Sequence, residues 1–247
     1  MLFAIEGQDG IGKTSAINHI NSYMKIFGWG QKYPSFSYEG EFFKDSDYIK
    51  NEIKRNTEVF FTSKSFIERA HAVKSIDFLH YTDKMLTRKT LEMNAKSPDI
   101  HLYDRYCLSQ AVYAKAMMDI LIEELDTKYN DTPNYYFKDY LNEVRFDVGD
   151  NFWELPKAKL TIVFIANREE AERRINLRED KDSVDLNSVY QSKVNALYRN
   201  KDFVNSNCNS EFSVIVDTTS MTVEDMANKI EDLVKYYSHL AKSITHD

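Results

Sequence analysis

Residues 7 to 14 read Gly7-Gln8-Asp9-Gly10-Ile11-Gly12-Lys13-Thr14, the G-x-x-x-x-G-K-S/T spacing of a loop that grips phosphate. Glycines let successive backbone N–H groups turn inward around an anion, and the helix that follows adds partial positive charge at its N-terminus. Lys13 is placed to reach the outer phosphates, the Thr14 hydroxyl to hold Mg²⁺, and Ser15 to complete the phosphate-facing first turn. Asp9, a carboxylate inside the loop, must face a hydroxyl or a metal rather than an anion. Further along, Asp104-Arg105 follows a short apolar run. Phosphoryl transfer spreads negative charge over the moving group, so a cation fixed there lowers the barrier electrostatically. Arg105 is expected to grip an acceptor phosphate, and Asp104 to order Arg105 or a Mg²⁺-bound water.

These residues need elements to hold them. Leu2-Phe3-Ala4-Ile5 fits a buried strand before the loop, and Ile17, Ile20, Met24 and Phe27 recur at helical spacing after it. A long helix is expected from about Lys64 to Met93, with Phe66, Ala70, Val73, Phe78, Leu79, Met85 and Leu86 as buried positions, ending before Pro98. Strands follow at Ile100–Tyr103, Leu160–Ile165 and Phe212–Val216, and helices from Leu108, at Arg168–Arg178, Leu186–Arg199 and Val223–Tyr237. Strands separated by helices, without hairpin signals, imply an α/β fold: a three-layer parallel sheet flanked by helices. Ligands then gather at the carboxyl ends of the strands, where Gly7, Asp104 and Asn167 lie. The aromatic-rich stretch from about 119 to 157 reads as an insertion packed on a single domain spanning 1–247.

Composition narrows the possibilities. With 247 residues, 43% hydrophobic and 29% charged, the chain suits one large soluble domain. A net charge of −7 leaves no basic excess for general nucleic-acid binding. No run is apolar and long enough to span a membrane, and the first strand begins within two residues, so a cytoplasmic protein without a signal peptide is expected. Cys107 and Cys208 are the only cysteines and are expected as free thiols.

With these residues in view, the chain resembles the thymidylate kinases (dTMP kinases) among the P-loop nucleoside monophosphate kinases. Ile5 to Thr14 is similar to that family's I-E-G-x-D-G-x-G-K-S/T, and Asp104-Arg105-Tyr106-Cys107-Leu108-Ser109-Gln110-Ala111-Val112-Tyr113 to its D-R-Y/H-x-x-S-x-x-A-Y/F. The resemblance implies that Asp9 contacts the acceptor's 3′-hydroxyl, that Ser109 and Gln110 face the base, and that Tyr113 crowds the 2′ position to favour deoxyribose. An aromatic at helical spacing also reads as plain core. Tyr33 to Glu41 resembles E-P-G-G-T-P-x-G-E at Pro34, Gly40 and Glu41, which puts Pro34 on the acceptor wall. Phe36 stands where some members carry a phosphate-binding arginine, with Lys32 as a candidate substitute.

The base-reading F-A-A-D/N-R of the family has its nearest equivalent in His80-Tyr81-Thr82-Asp83-Lys84, which gives His80 the stacking role and Lys84 the thymine carbonyl. They share a helix face, although a lysine cannot bond in a fork, and Arg69 is a rival. Asn167 to Arg178 resembles the family's lid, P-P-E-x-A-x-x-R-I-x-x-R, with a lid expected over about 168–185. Arg174 and Arg178 are four residues apart and are expected to bring cations over ATP, a role suited to a loop that carries Gly10 rather than arginine. Arg173 reads as an exposed partner of glutamates.

The resemblance implies an ATP- and Mg²⁺-dependent kinase that converts dTMP to dTDP, acting as a homodimer. A kinase of another deoxynucleoside monophosphate is the near alternative. A deoxynucleoside kinase is another; it needs a base beside the 5′-hydroxyl, for which Glu6 or Asp9 stand near. A GTPase switch is disfavoured, since Asn200-Lys201 and Asn228-Lys229 lack the Asp two residues after the lysine that reads guanine in N-K-x-D. A non-catalytic nucleotide-binding protein is the remaining class, against which the intact Lys13-Thr14 and Asp104-Arg105 argue.

Overall fold

The computed structural model describes residues 1–27, 35–37, 47–97, 99–128, 155–177 and 187–244. Five strands form one parallel sheet: β1 (Leu2–Gly7), β2 (Ser35–Ser37), β3 (His101–Asp104), β4 (Ala158–Ile165) and β5 (Ser210–Asp217), in the order β2-β3-β1-β4-β5. The described helices are α1 (Lys13–Phe27), α2 (Asp47–Thr62), α3 (Phe66–Lys96), α4 (Leu108–Lys128), α5 (Arg168–Asn176), α6 (Ser188–Arg199), α7 (Lys201–Asn207) and α8 (Val223–Ile244).

β1 lies in the middle because it is apolar on both faces, with all six residues buried. Alternate side chains go to opposite layers. Phe3 and Ile5 join Leu160, Ile162 and Phe164 of β4 against α1 and α8, whereas Val163 and Ile165 join α3, α4 and α6. The register sets Ile5 beside Asp104 and Gly7 beside Phe164, which brings the phosphate loop, the Asp104-Arg105 turn and Asn167 to one end of the sheet.

Local caps fix where the helices begin. Ser65 accepts from the Glu68 N–H at the start of α3, and Asn167, Asn187 and Asn200 do the same for α5, α6 and α7. Thr222 and Asp225 cap one another reciprocally at the start of α8.

Several elements differ from expectation. β2, α2 and α7 were not anticipated. In α3, Ala70 and Val73 are buried as expected, but Phe78 and Leu86 are exposed, because α3 has apolar residues on more than one face and the other layers cover only one. Residues 119–128 of the anticipated insertion continue α4, and 129–154 lie outside the described residues. Cys107 and Cys208 are buried, and no disulfide joins them. Among the described residues no helix is long and apolar enough to cross a membrane.

Candidate active site

At the carboxyl end of β1 the chain turns through Gly7 (φ 136°), Gly10 (φ 72°) and Gly12 (φ 96°), a conformation that L side chains rarely adopt. At Gly7 the need is also spatial: a Cβ would stand 2.2 Å from the Phe164 carbonyl oxygen of β4. The Lys13 ammonium is buried and folds back over the loop, donating to the carbonyls of Gly7 and Gln8 at 2.8 Å each. The loop is therefore held in shape by the cation that would meet phosphate.

Beside it, the Thr14 hydroxyl donates to Asp104 Oδ2. The other oxygen, Asp104 Oδ1, is buried and has no hydrogen-bond partner. A hydroxyl and a carboxylate with an unpaired oxygen make a hard oxygen donor set, which fits Mg²⁺ or one of its waters. Asp104 thus bonds Thr14, and the partners of Arg105 are others.

Arg105 is ordered by different partners. Its guanidinium pairs with Asp9 through one nitrogen and donates to the Tyr113 hydroxyl at 2.6 Å through another, and it lies over the Tyr113 ring at 5.0 Å. The Tyr113 hydroxyl in turn donates to Asp9 Oδ2 at 3.0 Å. Both Asp9 oxygens are therefore engaged within the protein, so the expected contact of Asp9 with a sugar hydroxyl would have to share or displace these bonds. Burial works against the Arg105 charge, but the surrounding Tyr113, Tyr198 and Glu6 outweigh it and raise its pKa. Burial pushes the Tyr113 phenol well above its ordinary range, only partly offset by Arg105, so the hydroxyl stays neutral and can donate. Tyr113 is consequently both core and site: its ring stacks on Tyr190 and meets Tyr198 edge-on.

Arg105 itself has φ 72°, a left-handed conformation that costs a non-glycine residue roughly 1–2 kcal/mol. Two hydrogen bonds to β1 hold it there: Arg105 N–H to the Ile5 carbonyl (2.9 Å) and Tyr106 N–H to Glu6 Oε1 (2.7 Å).

Other anticipated residues sit differently. Ser109 is buried and donates to Glu6, with the Tyr198 hydroxyl 3.0 Å away, so it faces the protein rather than a base. Gln110 is buried against Asp77 of α3. Arg69 donates to the Phe60 carbonyl at 2.8 Å and pairs with Glu124 at 2.6 Å, which commits it to joining α2, α3 and α4 and removes it as a base reader. α3 carries His80, half-buried, and Lys84 one turn later; the Lys84 side chain lies outside the described residues, as do Lys32, Pro34 and Arg178.

Helix α5 rests directly on the loop. Ile175 is buried, and its side chain is 2.5 Å from where a Gly10 Cβ would stand. Arg174 does not reach out as an unengaged cation. It pairs with Glu170 at 2.6 Å and donates to the carbonyls of Ile11 (3.0 Å), Thr218 (2.7 Å) and Met221 (3.1 Å). The expectation that it projects over ATP is corrected by this geometry: the helix face that bears it meets the phosphate loop and the turn after β5. Arg173 is the exposed partner of Glu170, as expected. Glu170 accepts from both arginines, which lowers its pKa to about 2.

A cavity of about 700 Å³ opens between α5 and α6, walled by Asn167, Ile175, Gln191, Asn195 and Arg199 and floored by Gln8 of the loop. Gln8, Tyr190, Tyr198 and Thr218, which surround the candidate site, were not anticipated there. Tyr190 and Tyr198, eight residues apart on one helix, carried the only readable signal.

No family model matches the chain, and no curated protein does. Solved structures do. Thymidylate kinase from Candida albicans superposes with a TM-score of 0.59 at 16% identity, over 95% of this chain and 91% of that one. Deoxyadenosine kinase from M. mycoides, with the products dCMP and dCDP bound, gives 0.55 at 18% identity over 96% of this chain and all of the other. The fold is one that this chain shares with those kinases. The same M. mycoides enzyme with dCTP bound gives 0.52 at 19% identity, over 96% of this chain and all of the other.

Proposed function

We propose that the protein is a phosphotransferase that moves the γ-phosphoryl group of ATP to a deoxynucleoside monophosphate, with dTMP the first candidate, giving ADP and the diphosphate. The observation that carries this reading is the pairing of β1 with β3. It sets the phosphate loop with Lys13 and Thr14 beside the Arg105–Asp9–Tyr113 group, so a donor-side cation and an acceptor-side cation share one crevice.

In this reading Gly7, Gly10, Gly12 and Ser15 present backbone and hydroxyl donors to the ATP phosphates. Lys13 exchanges two carbonyls for the β- and γ-oxygens. Thr14 and Asp104 would hold Mg²⁺, which when bound would supply charge neutralisation for the phosphates. Arg105 holds the acceptor phosphate in line for attack. The acceptor is already anionic, so the residues act by positioning and electrostatics and need no strong general base. His80 and Lys84 read the base, Tyr113 excludes a 2′-hydroxyl, and Arg174 acts by fixing the loop. A lid over about 168–185, including Arg178, closes on ATP within a single domain of 1–247, and 119–157 is an insertion on it.

The second reading is a deoxynucleoside kinase, favoured by the deoxyadenosine kinase neighbours. It is weakened by Glu6, which is wholly buried, and by Asp9, which is held by Arg105, so that neither is placed as a base. A homodimer is part of the proposal: Ile67, Phe78, Leu86 and Met93 are exposed along α3, and a second copy would cover them. Mass measurement in solution tests it, and a monomer at all concentrations would refute it.

The deciding experiment is ADP release with Mg·ATP and a panel of deoxy- and ribonucleosides and their monophosphates. Turnover of a deoxynucleoside monophosphate, abolished by Lys13→Ala and with KM raised by Lys84→Ala, is expected. Turnover of nucleosides alone would establish the second reading, and no turnover of any acceptor would refute both.

A further inference from the structure

The left-handed turn at Arg105 is clamped to β1 from both sides. The Ile5 half of the clamp is a backbone carbonyl that any residue would supply; the Glu6 half is a side chain. Glu6 is wholly buried, and its carboxylate is the joint of a wider frame. One oxygen takes the Tyr106 N–H of the turn, and the other takes the Ser109 hydroxyl in the first turn of α4. Ser109 in turn meets the Tyr198 phenol of α6, which lies edge-on to Tyr113, the residue under the Arg105 guanidinium. A buried carboxylate is costly unless its partners are fixed. Here the partners are the elements that set where the Arg105 side chain leaves the backbone and what it rests on.

We infer that Glu6 is a positioning residue that aims Arg105: it locks the strained turn through the Tyr106 N–H and, through Ser109 and Tyr198, steadies the Tyr113 platform. It does not touch the reacting groups. What Arg105 grips rests on the kinase reading above, but the aiming of Arg105 does not.

The test is a cycle of Glu6→Gln, Arg105→Ala and the double variant, with dTMP and ATP affinities measured by titration calorimetry. Glu6→Gln is expected to weaken dTMP binding about tenfold, the loss of one bond to a charged group, and to leave ATP within about twofold. In the Arg105→Ala background it is expected to add less than about twofold to the loss of dTMP binding. Effects that multiply, equal losses for ATP and dTMP, or a lowered melting temperature with unchanged dTMP affinity would overturn the inference. Should Glu6→Gln fail to fold, Ser109→Ala severs the frame's two bonds to Glu6 and Tyr198 but leaves the Tyr106 N–H on Glu6, and is expected to weaken dTMP selectively by a smaller factor; a multiplicative effect with Arg105→Ala would overturn the inference. A second readout needs no ligand. The guanidinium N–H signals of Arg105, assigned by their disappearance in Arg105→Ala, are expected to exchange slowly in the wild type and quickly in Glu6→Gln; unchanged exchange would overturn the inference. A wild type that binds no monophosphate would refute the proposed function and leave the exchange experiment to decide the positioning role.

Discussion

Replacing Arg174 by alanine separates a clamp from a catalytic cation. The Arg174 side chain is only 14% exposed and is bonded to Glu170, Ile11, Thr218 and Met221. Truncation removes a charge-assisted pair and three bonds to carbonyls that belong to two separate loops. Some of those carbonyls recover a water, so the net loss is about 3 kcal/mol rather than the sum of the bonds. For a chain of this size that lowers the melting temperature by about 6–12 °C. The phosphate loop loses its tie at Ile11, so KM for ATP rises while kcat falls by less than about tenfold. Arg174→Lys is expected to recover little, because one ammonium cannot span carbonyls on two loops. The assays are calorimetric melting and steady-state kinetics at saturating acceptor. A variant with unchanged melting temperature and a kcat lowered by a factor of about 1,000 would refute the clamp and return Arg174 to the transferring phosphate.

Two further changes probe the frame. Gly10→Ala places a Cβ in a left-handed conformation and against Ile175, so it should cost about 2 kcal/mol or more and raise KM for ATP by lifting α5; a neutral melting temperature would show that α5 does not depend on this contact. His101 is buried in β3 with neither ring nitrogen bonded, and its pKa is lowered, chiefly by burial and then by the N-terminal ammonium, with Asp99 opposing. The unfolded chain then takes up a proton that the folded one refuses, so stability should fall as pH drops below about 6.5 and be flat above it. His101→Leu should abolish that slope and add about 1 kcal/mol at neutral pH. Urea melts across about pH 5 to 7.5 measure both effects, and an unchanged slope in the variant would refute the assignment.

The phosphate loop was legible because its chemistry is local: the glycines, Lys13 and Thr14 lie within eight residues, and strand and helix flank them. That Asp104 and Arg105 stand at a strand end beside the loop was legible from the apolar run before them. Their partners were not, since Asp9 with Arg105 and Thr14 with Asp104 are brought together by the register of β1 on β3, which no local pattern encodes. Arg174 was misread for the same reason. Its position on a charged helix was clear, but the face that meets the loop is decided by Ile175 packing on Gly10. Phe78 and Leu86 looked like core because α3 is apolar on more than one face, and periodicity does not say which face the domain covers. α2 escaped notice although Phe60 near its end is wholly buried, since most of its residues are polar or charged.

The central place of β1 has a consequence for how the chain is made. β1 leaves the ribosome ahead of the other described strands, yet its neighbours begin at His101 and Ala158. At about 5–20 residues per second, on the order of ten seconds pass before Leu2, Phe3 and Ile5 can find either partner. Through that interval the nascent chain carries an unsatisfied apolar strand, and the phosphate loop that hangs from it gains its seat against Phe164 only once β4 has been made.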